Sequence, residues 1–366
     1  MKILHLLYSG LGGHGNVFFS MVNADSAAEF EYEAIFNGVE DIRAEYVERC
    51  ELQKIKWSFV KKKSGLDIEF YKNLVLAIKK SDADIIFLHG STQILWAKLA
   101  IIFSKKRRSL LVRETHANQL KVKQDWLWLI MTMLLANKII FLSEAYKLEI
   151  KKKLSWIYAE KKVTVIANGI DLQKYNAVGK KEDGTIVLGM QSRIVKIKDQ
   201  ETLIGAFDML LKDESLKGKD IVLKIAGDGD NRTSLEQLAK KLGIENKVFF
   251  TGMLPEQELT AFLNDLDIYI HASFGETMST AIMQAMAFGK PIIASDVAGI
   301  NNMVKNNVTG LLVPVMDEEA MFGKMKQLIQ NKEEAFMLAA NARQYAEANF
   351  SNETMFKKYR SVFSSQ

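Results

Sequence analysis

A single cysteine, Cys50, stands among the 366 residues of this chain. No internal disulfide can form, and a reducing cytoplasm suits such a sequence. No apolar run reaches the roughly 20 residues that a membrane-crossing helix needs, and there is neither an internal repeat nor a low-complexity segment. The G-x-G-x-x-G spacing of dinucleotide sites and the Lys-Ser/Thr of a P-loop are both missing, which removes the dinucleotide and ATP readings. No His/Cys cluster has zinc spacing. No G-x-S-x-G elbow or Cys/His pair offers a nucleophile. Three D-x-D pairs occur, Asp82/Asp84, Asp228/Asp230 and Asp265/Asp267. The first and last open strands and so point away from a ligand edge. Only Asp228 and Asp230, in the loop "AGDGDN", have a suitable address for a metal.

What is present is globular. Apolar residues make up 48% and charged residues 25%. The length exceeds one ordinary core and predicts two domains. The opening "MKILHLLYSGLGG" has the outline of a signal peptide, but its alternation into a Gly-rich turn reads better as a first buried strand. Charge is uneven. Residues 1–180 carry 28 Lys/Arg against 19 Asp/Glu, and residues 181–366 carry 21 against 25. The basic runs are Lys61-Lys62-Lys63, Lys105-Lys106-Arg107-Arg108 and Lys151-Lys152-Lys153. Such runs mark a solvated face. They can also meet anionic lipid, at about 1 kcal/mol per basic residue near the surface. No nucleic-acid recognition motif accompanies them.

Short β-rich runs alternate with amphipathic stretches. The strand candidates are "KILHLLYS", "YEAIFN", "ADIIFLHG", "SLLVRETH", "KIIFLS" and "VTVIAN", then "TIVLGMQS", "IVLKIAGDG", "KVFFTG", "DIYIHAS", "PIIAS" and "TGLLVPV". This is the rhythm of βαβ units and parallel sheets, and it occurs twice. The polar, poorly periodic stretch 168–184 separates the two halves. The pattern predicts an α/β protein with two doubly wound, Rossmann-like domains facing across a cleft, an N-terminal one over 1–175 and a C-terminal one over 176–345. The tail reads as two helices interrupted near Ser351, with 346–366 a closing helix. Ligands of open α/β sheets bind beyond the carboxyl ends of the strands, so motifs belong in the loops after strands.

Four such loops carry candidate chemistry. In "DIYIHASFGETMSTAIMQAMAFGKP", Glu276 follows a strand and precedes a helix that Thr277 or Ser279 can cap. A helix N-terminus suits phosphate, and a carboxylate there would repel it. Glu276 therefore reads as aimed at sugar hydroxyls, or else as an ordinary helix-dipole acid. Gln284 lies about five residues into the helix, roughly 7.5 Å along it. That offset suits a ribose beside a diphosphate, or a plain surface amide. In "GMQSRIVKIKDQ", Arg193 and Lys198 precede a helix. Two cations there can stabilise a departing diphosphate, or form a solvated basic loop. In "YSGLGGHGN", Gly12, Gly13 and Gly15 permit close approach of the backbone to a ligand, or make a simple tight turn. In "LLVRETHANQ", His116 sits just past a strand end. His89, in "IIFLHGS", has a similar address.

In this order these motifs resemble the retaining GT-B glycosyltransferases of family 4, over nearly the whole chain and most strongly from about 184 to 315. The shared features are the Gly-rich first loop, "NGID" at 168–171, Arg193 with Lys198, "GDG" after a strand, and the Glu-x7-Glu segment leading into "A-G". The second Glu of that segment is Gln284 here, and Asn302 stands where the family often has Glu. An amide has one accepting end rather than two. The resemblance implies donor-sugar contacts from Glu276 and His116, phosphate contacts from Arg193, Lys198 and the Thr277, Met278 and Ser279 N–H groups, and donor contacts from Gly12, Gly13, Gln284 and Met253. It also implies a nucleoside-diphosphate sugar of UDP or GDP type as donor, no metal or other cofactor, front-face retention, and final helices that cross back onto the N-terminal domain.

The resulting expectation is a transferase moving a hexose-type sugar to a saccharide or lipid-linked acceptor in bacterial surface-polysaccharide assembly. The alternatives are a nucleotide-sugar epimerase and a non-catalytic nucleotide-sugar-binding homologue supporting a partner enzyme. The stretch "KVKQDWLWLIMTMLLANK" (121–138) reads as a buried helix or as an interfacial one. With the basic N-terminal half, the interfacial reading suits a lipid-linked acceptor, and to the cytoplasmic location that the single cysteine suits it adds a peripheral station on the inner face of an anionic membrane. Nucleic acid is not expected as a partner.

Overall fold

A computed structural model of the chain describes residues 1–10, 13–175 and 184–366. They divide into two units, Met1–Gly169 with Asn352–Gln366, and Ile170–Ser351.

The first unit is built on a seven-stranded, wholly parallel sheet. Its strands are β1 (Lys2–Tyr8), β2 (Glu31–Gly38), β3 (Lys56–Lys61), β4 (Ile85–Leu88), β5 (Ser109–Arg113), β6 (Lys138–Phe141) and β7 (Val163–Val165), in the order β3-β2-β1-β4-β5-β6-β7. The central strand β4 is apolar throughout, and its neighbours β1 and β5 are largely so apart from the buried His5 and Arg113, because helices cover both faces. Alternate side chains go to opposite sides. Leu4, Leu6, Ile86 and Leu88 meet the helices Ile68–Lys80, Ile94–Ile102 and Lys123–Leu135. Ile3, Leu7 and Phe87 meet Gly13–Ala24 and Asn352–Ser364. The strand β3 is absent from the sequence-derived set. Its run "KWSFVK" lies at a sheet edge, half polar, with Lys56 paired to Glu33 at 3.1 Å. Charged edge strands of this kind resist pairing with other chains, and they blunt the apolar signal.

The tail forms two helices, Lys332–Asn349 and Asn352–Ser364, parted at 350–351 as expected. Met355, Phe356, Tyr359 and Phe363 of the last helix are core residues of the first unit, and Phe363 packs on Phe30 with ring centroids 5.3 Å apart. Burying each such ring is worth roughly 1.5–3 kcal/mol.

The second unit carries a six-stranded parallel sheet. Its strands are β8 (Ile186–Gln191), β9 (Ile221–Ala226), β10 (Val248–Gly252), β11 (Ile268–His271), β12 (Ile292–Ser295) and β13 (Leu311–Val313), in the order β10-β9-β8-β11-β12-β13. The chain winds outward from β8 to β10, then restarts on the other side of β8 with β11. The switch point lies between β8 and β11, and the loops leaving these two strands diverge around a natural ligand crevice. Among the described residues no helix is long and apolar enough to cross a membrane.

Candidate functional site at the switch point of the second unit

The two loops at the switch point are tied to each other by backbone. The Phe274 N–H donates to Ile197 O at 2.9 Å, and Ser273 Oγ donates to the same carbonyl at 3.2 Å. Residues 196–198 make a 3₁₀ turn closed by Asp199, which adopts a left-handed conformation at φ 48°. The Asp199 carboxylate accepts from Thr202 Oγ1 at 2.8 Å and from the Met316 N–H at 3.4 Å, which holds the turn shut. The "GDG" loop after β9 closes in from the side. Gly227 has φ 130°, and a Cβ there would lie 1.9 Å from Ser192 O, so only glycine fits. Ile194 N–H donates to Asp228 O at 2.9 Å. Gln200 Nε2 donates to Ser192 Oγ and Arg193 O at 2.9 and 3.0 Å, leaving the Arg193 side chain exposed.

This scaffold brings together Lys198 and Glu276, 78 positions apart, in a direct ion pair between Lys198 Nζ and Glu276 Oε1. Their side chains are 14% and 12% exposed, so the pair is shielded from bulk water yet reachable. The same carboxylate oxygen accepts from His271 Nε2 at 3.0 Å. Burial pushes the Glu276 carboxyl upward, but the His271 hydrogen bond and the Lys198 charge outweigh it and bring it to about 2. Glu276 is therefore ionised throughout the neutral range. Burial also pulls the His271 imidazole down, against the bond to Glu276, so His271 is neutral. Behind it, Tyr269 Oη lies 3.0 Å from His271 Nδ1 and 3.3 Å from Gln191 O. His271 closes the strand "DIYIHAS" at the position that draws attention to His116 elsewhere. No motif in the sequence marks either His271 or Tyr269. The strand-end address was the signal that was available.

Ser279 is the N-cap of the helix Thr280–Ala287, its Oγ accepting from the Ile282 N–H at 3.4 Å. Thr277 and Met278 lead into that cap. A Cβ on Gly299 would lie 1.9 Å from Glu276 O and 2.8 Å from Thr277 N, so the "A-G" of "DVAGI" lets one loop lie flat on the other. Gln284 sits in the fifth position of the helix. Its Nε2 donates to Tyr175 Oη at 2.8 Å, while its Oε1 is buried without a hydrogen-bond partner. Asn302 donates from Nδ2 to Ala298 O and is used locally. Met253 follows β10 with its side chain exposed.

The remaining sequence-derived residues belong to the first unit. Gly12 lies outside the described residues. Gly13 opens the helix Gly13–Ala24, and a Cβ there would meet nothing within 4 Å, so its space does not demand glycine. His116 is half exposed, its Nδ1 3.5 Å from Asp125 Oδ2. Its backbone is fixed from below. The His116 N–H donates to Glu114 Oε1 at 3.1 Å, and its carbonyl accepts from Tyr146 Oη at 2.6 Å and from Lys121 Nζ. Lys121 and Glu114 form a buried pair at 3.2 Å. His89 is buried against His5, with Nε2 to Nδ1 at 3.0 Å, and packs on Phe87. Among the described residues no group of three or more His, Cys, Asp or Glu side chains is placed to hold a metal. Asp228 is engaged locally, accepting from the Gly229 N–H at 2.8 Å and facing Arg232 at 3.6 Å.

Two family models match this chain. One, glycosyl transferases group 1, covers residues 172–345, and the other, glycosyltransferase family 4, covers residues 11–174. The chain belongs to the GT-B, group 1 glycosyltransferases. The uncharacterized glycosyltransferase MJ1069 of Methanocaldococcus jannaschii is 29% identical over 239 residues, 62% of this chain and 60% of the relative. The alpha-monoglucosyldiacylglycerol synthase of Streptococcus pneumoniae is 29% identical over 180 residues, 46% of this chain and 37% of the relative. The chain thus spans less than two thirds of the length of these relatives. Others carry names from lipopolysaccharide-core and capsular-polysaccharide biosynthesis. Among solved structures, Anabaena Alr3699/HepE, in complex with UDP and glucose, superposes over 100% of both chains with a TM-score of 0.83 at 19% identity. That likeness establishes the fold of this family member.

Proposed function

We propose that this glycosyltransferase moves a hexose-type sugar, with retention, from a nucleoside-diphosphate sugar of UDP or GDP type to a saccharide or lipid-linked acceptor, in bacterial surface-glycan assembly. The observation that carries the reading is the shielded Lys198–Glu276 pair at the β8/β11 switch point, next to a capped helix N-terminus. The diphosphate lies at the Thr277–Ser279 end, where N–H groups and the helix dipole favour it. Lys198 and Arg193 offset the charge that builds on the diphosphate as its bond to the sugar breaks. Glu276, ionised, accepts from hydroxyls of the donor sugar. Front-face attack, with the leaving diphosphate taking the acceptor proton, needs no protein nucleophile. His116, Gly12, Gly13 and Met253 stay in the proposal through the family resemblance.

The test is a thermal-shift screen of nucleotides and nucleotide sugars, followed by a transfer assay with the stabilising donor. Binding of a nucleoside diphosphate and release of product with the donor's anomeric configuration are expected. Activity should survive EDTA, because Lys198 and Arg193 supply the positive charge that a metal would. Complete loss restored by manganese or magnesium would instead direct attention to Asp228 and Asp230.

Gln284 is proposed to hold the donor ribose. A buried acceptor without a partner is costly, and a ribose hydroxyl would satisfy its Oε1 while Tyr175 fixes the amide. Such a bond is worth about 0.5–1.5 kcal/mol. Gln284→Ala should therefore raise the donor KM several-fold and leave kcat largely intact, as a uniform-binding loss does. An unchanged affinity for nucleoside diphosphate in that variant would make Gln284 a bystander.

The reading includes a peripheral station on the inner face of an anionic membrane. Its support is a groove between the helices Ile68–Lys80 and Ile94–Ile102, where Leu66, Ile68, Leu99 and Phe103 are exposed beside Lys72 and Lys79. The run at 105–108 is less free than its composition implies, because Arg108 is buried and donates to Ile78 O and Ser81 O. The 121–138 stretch packs Leu129 and Met133 into the core, so it supports this reading less. Weak binding to anionic vesicles, released by salt, is expected. Equal binding to neutral vesicles would remove the electrostatic part of the reading.

A further inference from the structure

His271 is 1% exposed and touches no surface, yet both its ring nitrogens are engaged. Their roles follow from the partners. Glu276 is ionised and can only accept, so His271 Nε2 carries the proton and donates. The ring is neutral, so Nδ1 is bare and accepts. Tyr269 Oη has one hydrogen and two acceptors in reach, His271 Nδ1 at 3.0 Å and the Gln191 carbonyl at 3.3 Å, and with Nδ1 bare the nearer acceptor takes it. The bonds therefore run in one direction, from Tyr269 to His271 to Glu276. Lys198 reaches the same Oε1 atom from the other side.

The two donors to Glu276 differ in one respect. Lys198 is a flexible ammonium at the end of a four-carbon stem, and an incoming diphosphate competes for it. His271 is fixed by the strand and, being neutral, has no charge for the diphosphate to attract. If Lys198 were the only anchor, donor binding would release Glu276 at the moment its orientation matters. We propose that His271, backed by Tyr269, is the positioning residue that keeps Glu276 aimed at the donor sugar while the diphosphate exchanges Lys198 away from it. The Lys198–Glu276 pair is then the resting arrangement, and donor binding replaces it. This inference rests on the donor-site reading given above.

The experiment is steady-state transfer kinetics together with calorimetric binding of UDP and GDP, on wild type and on His271→Ala, His271→Gln and Tyr269→Phe. His271→Ala should lower kcat by about ten- to a hundredfold, the loss expected when a bond to a charged group is removed. Its affinity for the nucleoside diphosphate should stay within about threefold of wild type, because Lys198 and the helix end are untouched. His271→Gln places an amide N–H close to the Nε2 position and should recover most of kcat. Tyr269→Phe keeps the packing, frees the ring to change tautomer, and should cost kcat several-fold. Wild-type kcat in His271→Ala, or a parallel loss of kcat and diphosphate affinity that Gln does not rescue, would overturn the positioning role and leave the donor-site reading in place. Wild-type protein that binds neither nucleoside diphosphate would overturn that reading and this inference with it.

Discussion

Lys198→Ala should lower kcat by on the order of 10²-fold or more, as the loss of a preorganised contact to developing charge does. The lysine comes from a turn whose shape is over-determined, by Asp199 in its left-handed conformation and by the Phe274 N–H on Ile197 O. Its loss has a second effect. Removing one member of a buried ion pair costs up to about 3–5 kcal/mol when the other is left uncompensated. Here Glu276 keeps its bond to His271 and some solvent contact, so the stability loss should fall well below that figure. A fall in kcat far larger than the fall in melting temperature would explain is the signature of a transition-state contact. Arg193→Ala provides the cleaner companion. Its side chain is exposed, and surface changes usually stay within about 0.5 kcal/mol. A large kinetic loss there cannot come from unfolding. If both variants turn over normally with an identified donor, the site lies elsewhere.

Glu276→Gln should depress kcat by about tenfold or more while leaving the fold intact, since the two side chains have nearly the same shape. The amide retains one accepting oxygen for Lys198 and His271 and turns a donor toward the sugar, where an acceptor is needed. Neutralising this group also releases Lys198 from its ion pair. Affinity for the nucleoside diphosphate should therefore be unchanged or tighter, even as turnover falls. Kinetics over a donor series, set beside calorimetry with UDP and GDP, separate the two effects. A variant with normal kcat would remove Glu276 from the reacting sugar. A variant with weaker diphosphate binding would mean that the ion pair builds the phosphate site rather than competing with it.

Much of the scaffold was readable from periodicity. All the sequence-derived strand candidates contain strands, because the sheets are covered on both faces and their strands are short continuous apolar runs. The missed β3 is the exception that fits the same physics. At an exposed edge, alternate Lys and Ser dilute the pattern until the run looks like a loop. The loops were harder. In "LLVRETHANQ" the half-exposed His116 was legible as a strand-end group, while Glu114 beside it gave no sign that it would be buried with Lys121. Choosing between His89 and His116 needed burial, since both follow strands and only one ring is shut inside the core.

What the sequence determined by itself was the set of loops. Ligand-binding groups in parallel α/β sheets gather after strand ends, and turn chemistry marks those ends, so Arg193, Lys198, Glu276 and Gln284 stood out as candidates by position, and the family resemblance gave them their proposed roles. What the tertiary structure decided was their partners. Lys198 meets Glu276 across 78 residues only because β11 pairs with β8 and the Ile197 carbonyl accepts from the following loop. His271 donates to that carboxylate, and Tyr175 takes the Gln284 amide across 109 residues, for the same kind of reason. A local pattern reports backbone propensity and one-sided burial, both set by near neighbours. Which polar groups share a buried hydrogen bond depends on strand order, and strand order is fixed by the long-range packing of the whole unit.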